Sequence, residues 1–235
     1  MMKRKTNRDY IRNLNRHMDI SCVQSIDQKV DIDKMIFYAK QYQFITAFTL
    51  PCFTPYVKEH LKNESAIKLG GVVGFPTGCD STASKIYQLQ ELIQLGCQEI
   101  DMVMAYSMLQ SDFDSYVFHD MEQVIKAAGT TPVKVIIEAP LLTDIQLEKA
   151  CNMAIEAGAS FIKSSTGWIA KPTTTEVIRK MAANIKGQVP IKAAGGIRSL
   201  ETVKEMLDLG CERFGVSVNS AVKIIEEAKK EVGEN

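Results

Sequence analysis

STASKIYQLQELIQLGCQEIDMVMA, residues 81–105, changes its hydrophobic period partway along. In the first part Ile86, Leu89, Leu92 and Ile93 recur at three- and four-residue spacing, which puts them on one face of a helix with Ser81 or Thr82 as its N-cap. Gly96-Cys97 then interrupts the pattern, and EIDMVMA (99–105) reads as a short, mostly apolar strand. A glycine that stops a helix in the left-handed conformation and hands over to a strand is an αβ connection. The same device recurs at Gly158-Ala159 and Gly210-Cys211, so the chain repeats a structural unit without a fixed sequence period.

Working outward, further strands are expected at 44–50, 67–75, 133–139, 160–163, 189–193 and 212–216, with amphipathic segments between them. An eighth, HMDIS (17–21), follows a short basic N-terminal helix. Eight β-α units in 235 residues predict an α/β fold, a (β/α)8 TIM barrel, as a single domain over residues 1–235. The alternative, a doubly wound open sheet, lacks a G-x-G-x-x-G after any strand; GGVVGFPTG has the wrong glycine spacing.

Lys plus Arg and Asp plus Glu both total 28, so no global field draws in nucleic acid, and the 46% hydrophobic content suits a globular core. No run of about 18 apolar residues points to a membrane span and no signal peptide is evident, so a soluble, cytoplasmic protein is expected. Six scattered cysteines without C-x-x-C read as reduced thiols. His17, His60 and His119 are far apart and outside metal-binding motifs, so a protein-built metal site is not expected, although carboxylates can hold Mg²⁺ without such a motif.

In a barrel, charged residues near the carboxyl ends of strands point toward the catalytic mouth. Asp19 in MDIS, Asp101 in EIDMVM, Lys163 in FIKSSTG and Lys192 in PIKAAGG meet that test. Lysines are rarely buried without a use, whether a structural ion pair or chemistry. Glu138 and Lys134, both in VKVIIEA, belong to the same strand pattern but rank below Asp101, Lys163 and Lys192, since they read equally well as barrel-lining ion partners. The chemical use of such a lysine is Schiff-base catalysis, in which a neutral amine attacks a carbonyl. An ordinary lysine titrates near 10.4, so neutrality near pH 7 needs about 4 to 5 kcal/mol of bias against the ammonium. Lys192, kept charged beside Lys163, would supply repulsion, and Asp101 would hold Lys192 and relay protons. Gly195-Gly196 after the seventh strand and Ser217 after the eighth offer backbone donors to a phosphate.

These segments resemble the deoxyribose-phosphate aldolases. F-I-K-S-S-T-G is similar to that family's F-I-K-T-S-T-G, P-I-K-A-A-G-G-I-R to K-x-A-G-G-[IV]-R, E-I-D-M-V to E-[IV]-D-x-V, and V-V-G-F-P-T-G to G-F-P-x-G, in the same order from about His17 to about Ala228. The resemblance implies a cofactor-free class I aldolase on a (β/α)8 barrel, cleaving 2-deoxy-D-ribose 5-phosphate reversibly to D-glyceraldehyde 3-phosphate and acetaldehyde. By motif position it makes Lys163 the Schiff-base lysine, Lys192 its perturbing neighbour and Asp101 the proton-relay acid. It puts Thr166, Gly167, Gly195, Gly196, Gly215 and Ser217 around the sugar phosphate, with Asp19 and Ser21 near the substrate hydroxyls. The chain departs from the family pattern at Thr49, Ala105, Trp168 and Val218, which leaves open a different sugar phosphate or aldehyde. A phosphosugar isomerase or epimerase using Asp101 as base, and a binding protein on an inherited barrel, are the remaining readings. Barrels of this kind often form homodimers, but no interface is legible.

Overall fold

Eight strands alternate with helices along the chain and close on themselves, each strand parallel to the next and β8 pairing back to β1. The computed structural model describes residues 7–233; the start of the basic N-terminal segment, residues 1–6, lies outside them. The strands are β1 (Met18–Cys22), β2 (Thr46–Thr49), β3 (Lys68–Val73), β4 (Glu99–Val103), β5 (Val133–Ile136), β6 (Phe161–Lys163), β7 (Ile191–Ala194) and β8 (Cys211–Ser217). Helix α1 (Asn7–Arg12) precedes β1, and α2 (Lys29–Tyr42), α3 (Thr54–Leu61) and α4 (Thr82–Gln94) follow β1, β2 and β3. A single turn α5 (Tyr106–Leu109) and then α6 (Asp114–Ala127) follow β4. The ring is completed by α7 (Asp144–Glu156), α8 (Thr175–Ile185), α9 (Leu200–Asp208) and α10 (Val218–Val232). All eight expected strands are present. Several are shorter than the apolar runs suggest, because the carboxyl-terminal part of each run has already left the ladder to build the mouth.

The helix and strand periods sort the side chains into two populations. Outward residues such as Ile20, Ala47, Ile100, Met102, Val135, Ile162, Ala193 and Phe214 join one apolar core with the buried stripes of the helices. Residues one step away in each strand face the barrel interior, which is where the charges sit. The handover glycines behave as the sequence implies: Gly96, Gly158 and Gly210 have φ of 98°, 87° and 95°. Ser81 caps α4, its hydroxyl accepting from Ser84 N at 3.3 Å.

One face of α4 departs from the apolar pattern. Ile86 is only half-buried, whereas Lys85 is wholly buried and its ammonium lies 2.6 Å from Asp120 Oδ2 of α6. Thr82 Oγ1 donates to the other carboxylate oxygen at 2.8 Å. A dry ion pair of this kind contributes little net attraction, but an unpaired buried ammonium is expensive. Asp120→Ala is therefore expected to destabilise the fold by about 3 to 5 kcal/mol, while joint replacement of Lys85 and Asp120 by apolar residues costs far less; urea unfolding of the single and double variants checks this.

Candidate active site

The register of the barrel places like charges side by side. Lys163 is opposite Lys192 across β6 and β7, and Lys192 is opposite Arg213 across β7 and β8. Lys134 of β5 is opposite Asp101 of β4. Three adjacent cations on neighbouring strands are tolerable only if carboxylates reach them from elsewhere in the wall. Asp101 and Asp19 do so. Asp101 Oδ2 accepts hydrogen bonds from both Lys163 Nζ (2.8 Å) and Lys192 Nζ (2.6 Å). Asp19 Oδ2 is 2.6 Å from Lys192 Nζ, and its Oδ1 accepts from Arg213 Nε at 2.7 Å.

Below this layer Glu99 gathers Lys134, Arg213 and Thr46: its Oε2 accepts from Arg213 Nη2 at 2.8 Å and from Thr46 Oγ1 at 3.2 Å. Lys134 Nζ also lies 3.5 Å from Asp101 Oδ1, an oxygen that accepts no hydrogen bond. Four cations, Lys134, Lys163, Lys192 and Arg213, thus face three carboxylates, Asp19, Glu99 and Asp101, all buried. Lys68 touches Glu99 from the rim with a half-exposed side chain.

Electrostatics follow from this count. Burial would raise the Asp101 carboxyl, but Lys163, Lys192 and Lys134 outweigh it and hold it far below the usual range. Asp19 is likewise held low against burial by Lys192, Lys134 and Arg213. Burial is the largest influence on Lys192 and brings it down to about 8, against the pull of Asp101 and Asp19. The expectation of a firmly charged Lys192 is thereby modified: at 1% exposure, loss of water outweighs two carboxylates.

Above the cluster a cavity of about 220 Å³ opens at the carboxyl ends of the strands. All the residues anticipated from the sequence line it: Lys163, Lys192 and Asp101 at its floor, with Asp19, Ser21, Thr166, Gly167, Gly195, Gly196, Gly215 and Ser217 around them. One side is shaped for an anion. Gly195 and Gly196 have φ of 89° and 87°, and a Cβ on either would stand within 2.8 Å of Ser165 or Pro172. Beside them begins α10, whose N-cap Ser217 makes no side-chain cap, its hydroxyl donating instead to Ser220 Oγ at 3.2 Å. Free N–H groups and the positive end of a helix favour a phosphate there. Exposed Arg198 lines the same side.

Comparison with known proteins covers most of the chain. The family model described as DeoC/LacD family aldolase matches residues 46–218. The chain belongs to the DeoC/LacD aldolase family. A deoxyribose-phosphate aldolase of Klebsiella pneumoniae subsp. pneumoniae is 36% identical over 218 residues, covering 92% of this chain and 87% of the relative. One from Mycoplasma capricolum subsp. capricolum is 37% identical over 216 residues, covering 92% and 97%. The solved deoxyribose phosphate aldolase of Aeropyrum pernix, described as tetrameric, superposes with a TM-score of 0.85 at 27% identity, covering 96% of this chain and 93% of that one.

Within this aldolase barrel several residues make contacts that the sequence did not show. Glu138 is no ion partner: with φ of 51° it leaves β5 in a left-handed turn and accepts from Thr166 N (3.1 Å) and Thr166 Oγ1 (2.6 Å), fastening the loop after β6. Asp19 has both oxygens committed to cations, and Ser21 Oγ donates to Val216 O at 3.0 Å. The departures Thr49, Ala105, Trp168 and Val218 do not line the cavity. Trp168 acts at one remove, donating Nε1–H to Val23 O at 2.8 Å and packing edge-on against Phe75. Arg213, Glu99, Phe48 and Arg198 are the site residues that sequence reasoning missed. The period-2 rule was the available signal for two of them, since Arg213 precedes Gly215 by two and Glu99 precedes Asp101 by two. Among the described residues no three His, Cys, Asp or Glu side chains converge on a metal position, and no helix is long and apolar enough to cross a membrane.

Because folding lowers the Asp19 and Asp101 carboxyls, the stability they contribute is complete above the unfolded carboxylate range near pH 4 and is lost as pH falls below it. Urea unfolding between about pH 6 and pH 3 is expected to show this loss, and Asp101→Asn to flatten it.

Proposed function

We propose that this protein is a class I aldolase that reversibly cleaves 2-deoxy-D-ribose 5-phosphate to D-glyceraldehyde 3-phosphate and acetaldehyde, with no cofactor. The observation that carries the reading is the sharing of Asp101 Oδ2 by Lys163 Nζ and Lys192 Nζ at the floor of an anion-shaped cavity. The free amine of Lys163 attacks C1 of the open-chain sugar, and loss of water from the carbinolamine leaves an iminium. The C3 hydroxyl then gives up its proton, the C2–C3 bond breaks and its electron pair moves into the iminium as an enamine. D-Glyceraldehyde 3-phosphate departs, C2 takes a proton, and hydrolysis returns acetaldehyde and the amine.

Lys192 serves as the local proton store, and Asp101 Oδ2, bonded to both lysine nitrogens, links it to Lys163. Four buried cations face three carboxylates and Lys68 adds a fifth at the rim, so release of a proton from a lysine lowers the excess positive charge of the cluster rather than adding to an imbalance. The glycine pair, Ser217 and the α10 N-terminus hold the phosphate, placing C1 over Lys163. The barrel acts as one domain in the cytoplasm, with a small sugar phosphate as its partner.

Two features favour this over the alternatives. A carboxylate held as low as Asp101 is a weak general base, which counts against the isomerase or epimerase reading. The four departures from the family pattern lie off the cavity wall, which favours the deoxyribose phosphate over another sugar.

Acetaldehyde with borohydride is expected to leave an ethyl group on Lys163, located by peptide mass mapping; an unlabelled Lys163 with both acetaldehyde and the sugar phosphate would overturn the reading. Lys163→Arg is expected to lower kcat at least about a thousandfold while the fold persists by circular dichroism. With Lys192 depressed to about 8, its ammonium form is complete below that pH and lost above it, so kcat is expected to fall on the alkaline side of about pH 8.

A further inference from the structure

Phe48, at the interior face of β2, sets its ring beside two ammonium groups. The centroid lies 4.4 Å from Lys192 Nζ and 4.9 Å from Lys134 Nζ. The ring is 2% exposed and forms part of the cavity wall. Gly70 of β3, in register with Phe48, makes the space: a Cβ there would stand 2.5 to 2.6 Å from three ring carbons. An aromatic face attracts a cation within about 6 Å, and more strongly when water is absent. An aliphatic side chain in this place would fill the volume and leave the ammonium with less.

We propose that Phe48 is a positioning residue of the aldol reaction, its ring face holding Lys192 in the ammonium form beside Asp101 while the chemistry proceeds at Lys163. The proposal rests on the aldolase reading above. Every charged group that meets Lys192 bears on it. Asp101 of β4 and Asp19 of β1 are the carboxylates; Lys163 of β6 and Lys134 of β5 are the neighbouring cations. Arg213 of β8 and Glu99 act through Asp19 and Lys134. In that balance a third carboxylate would fasten the proton permanently and cancel the excess charge that the reaction draws on. An aromatic ring supports the ammonium without carrying a charge, so Lys192 stays able to give its proton up and take it back.

The test keeps the shape of the ring and changes its face. Phe48 is replaced site-specifically by phenylalanines of increasing fluorination, and the pH profile of deoxyribose phosphate cleavage is measured with the pH dependence of borohydride trapping of acetaldehyde at Lys163. The alkaline limb of kcat is expected to move down stepwise, by about half to one pH unit over the series, with KM little changed. Phe48→Leu is expected to move it in the same direction. A limb that stays in place across the fluorinated series, with Lys163 still trapped, overturns the role of Phe48 alone. Absence of trapping at Lys163 in the unaltered protein overturns the aldolase reading and this inference with it.

Discussion

A single carboxylate oxygen, Asp101 Oδ2, joined to two lysine nitrogens is the contact on which this barrel depends. Parallel register puts Lys163, Lys192 and Arg213 next to one another on β6, β7 and β8, an arrangement whose repulsion must be answered by carboxylates from other strands. Closure of the barrel brings Asp101 from β4 and Asp19 from β1 against that row. Fold and site are thus one problem: the cations need the closed barrel, and the barrel interior needs cations and carboxylates that answer each other, because an uncompensated buried charge costs several kcal/mol.

The same constraint governs the chemistry. An interior with more cations than carboxylates keeps a proton that burial makes easier to release, in line with the lowering of Lys192. Around the cluster the protein is dry and apolar, so small displacements of charge carry more energy than they would in water. The anion-shaped side works by a different means. There backbone N–H groups and a helix N-terminus meet solvent, and glycines admit a close approach that any Cβ would block at Ser165 or Pro172. In the proposed complex a sugar phosphate spans two regimes, its phosphate at the wet rim and its carbonyl at the dry floor.

Much of this is legible in the chain. The switch from helical to strand period in STASKIYQLQELIQLGCQEIDMVMA, repeated at Gly158 and Gly210, is a local property of backbone and hydrophobic pattern, so the recurring β-α unit follows from it. Lysines inside strand-type runs stand out because their burial is costly, which singles out Lys163 and Lys192. Less visible were Glu99 and Arg213, whose period-2 placement was readable but whose partners lie on strands far off in sequence. Glu138 looked like an ion partner because its strand pattern continues through it, whereas the backbone turns at that residue and sends its carboxylate to Thr166.

The sequence by itself determined the order and kind of the elements, the turn glycines and the nucleophile candidate, since each rests on the intrinsic conformational preference of a short segment. Only the tertiary structure decided which charges meet. Strand register and barrel closure set distances between residues 60 to 190 positions apart, and at those distances the Coulomb and burial energies become large enough to choose a protonation state. Lys85 shows the same division: its place on a helix was plain, but its burial depended on Asp120 arriving from α6.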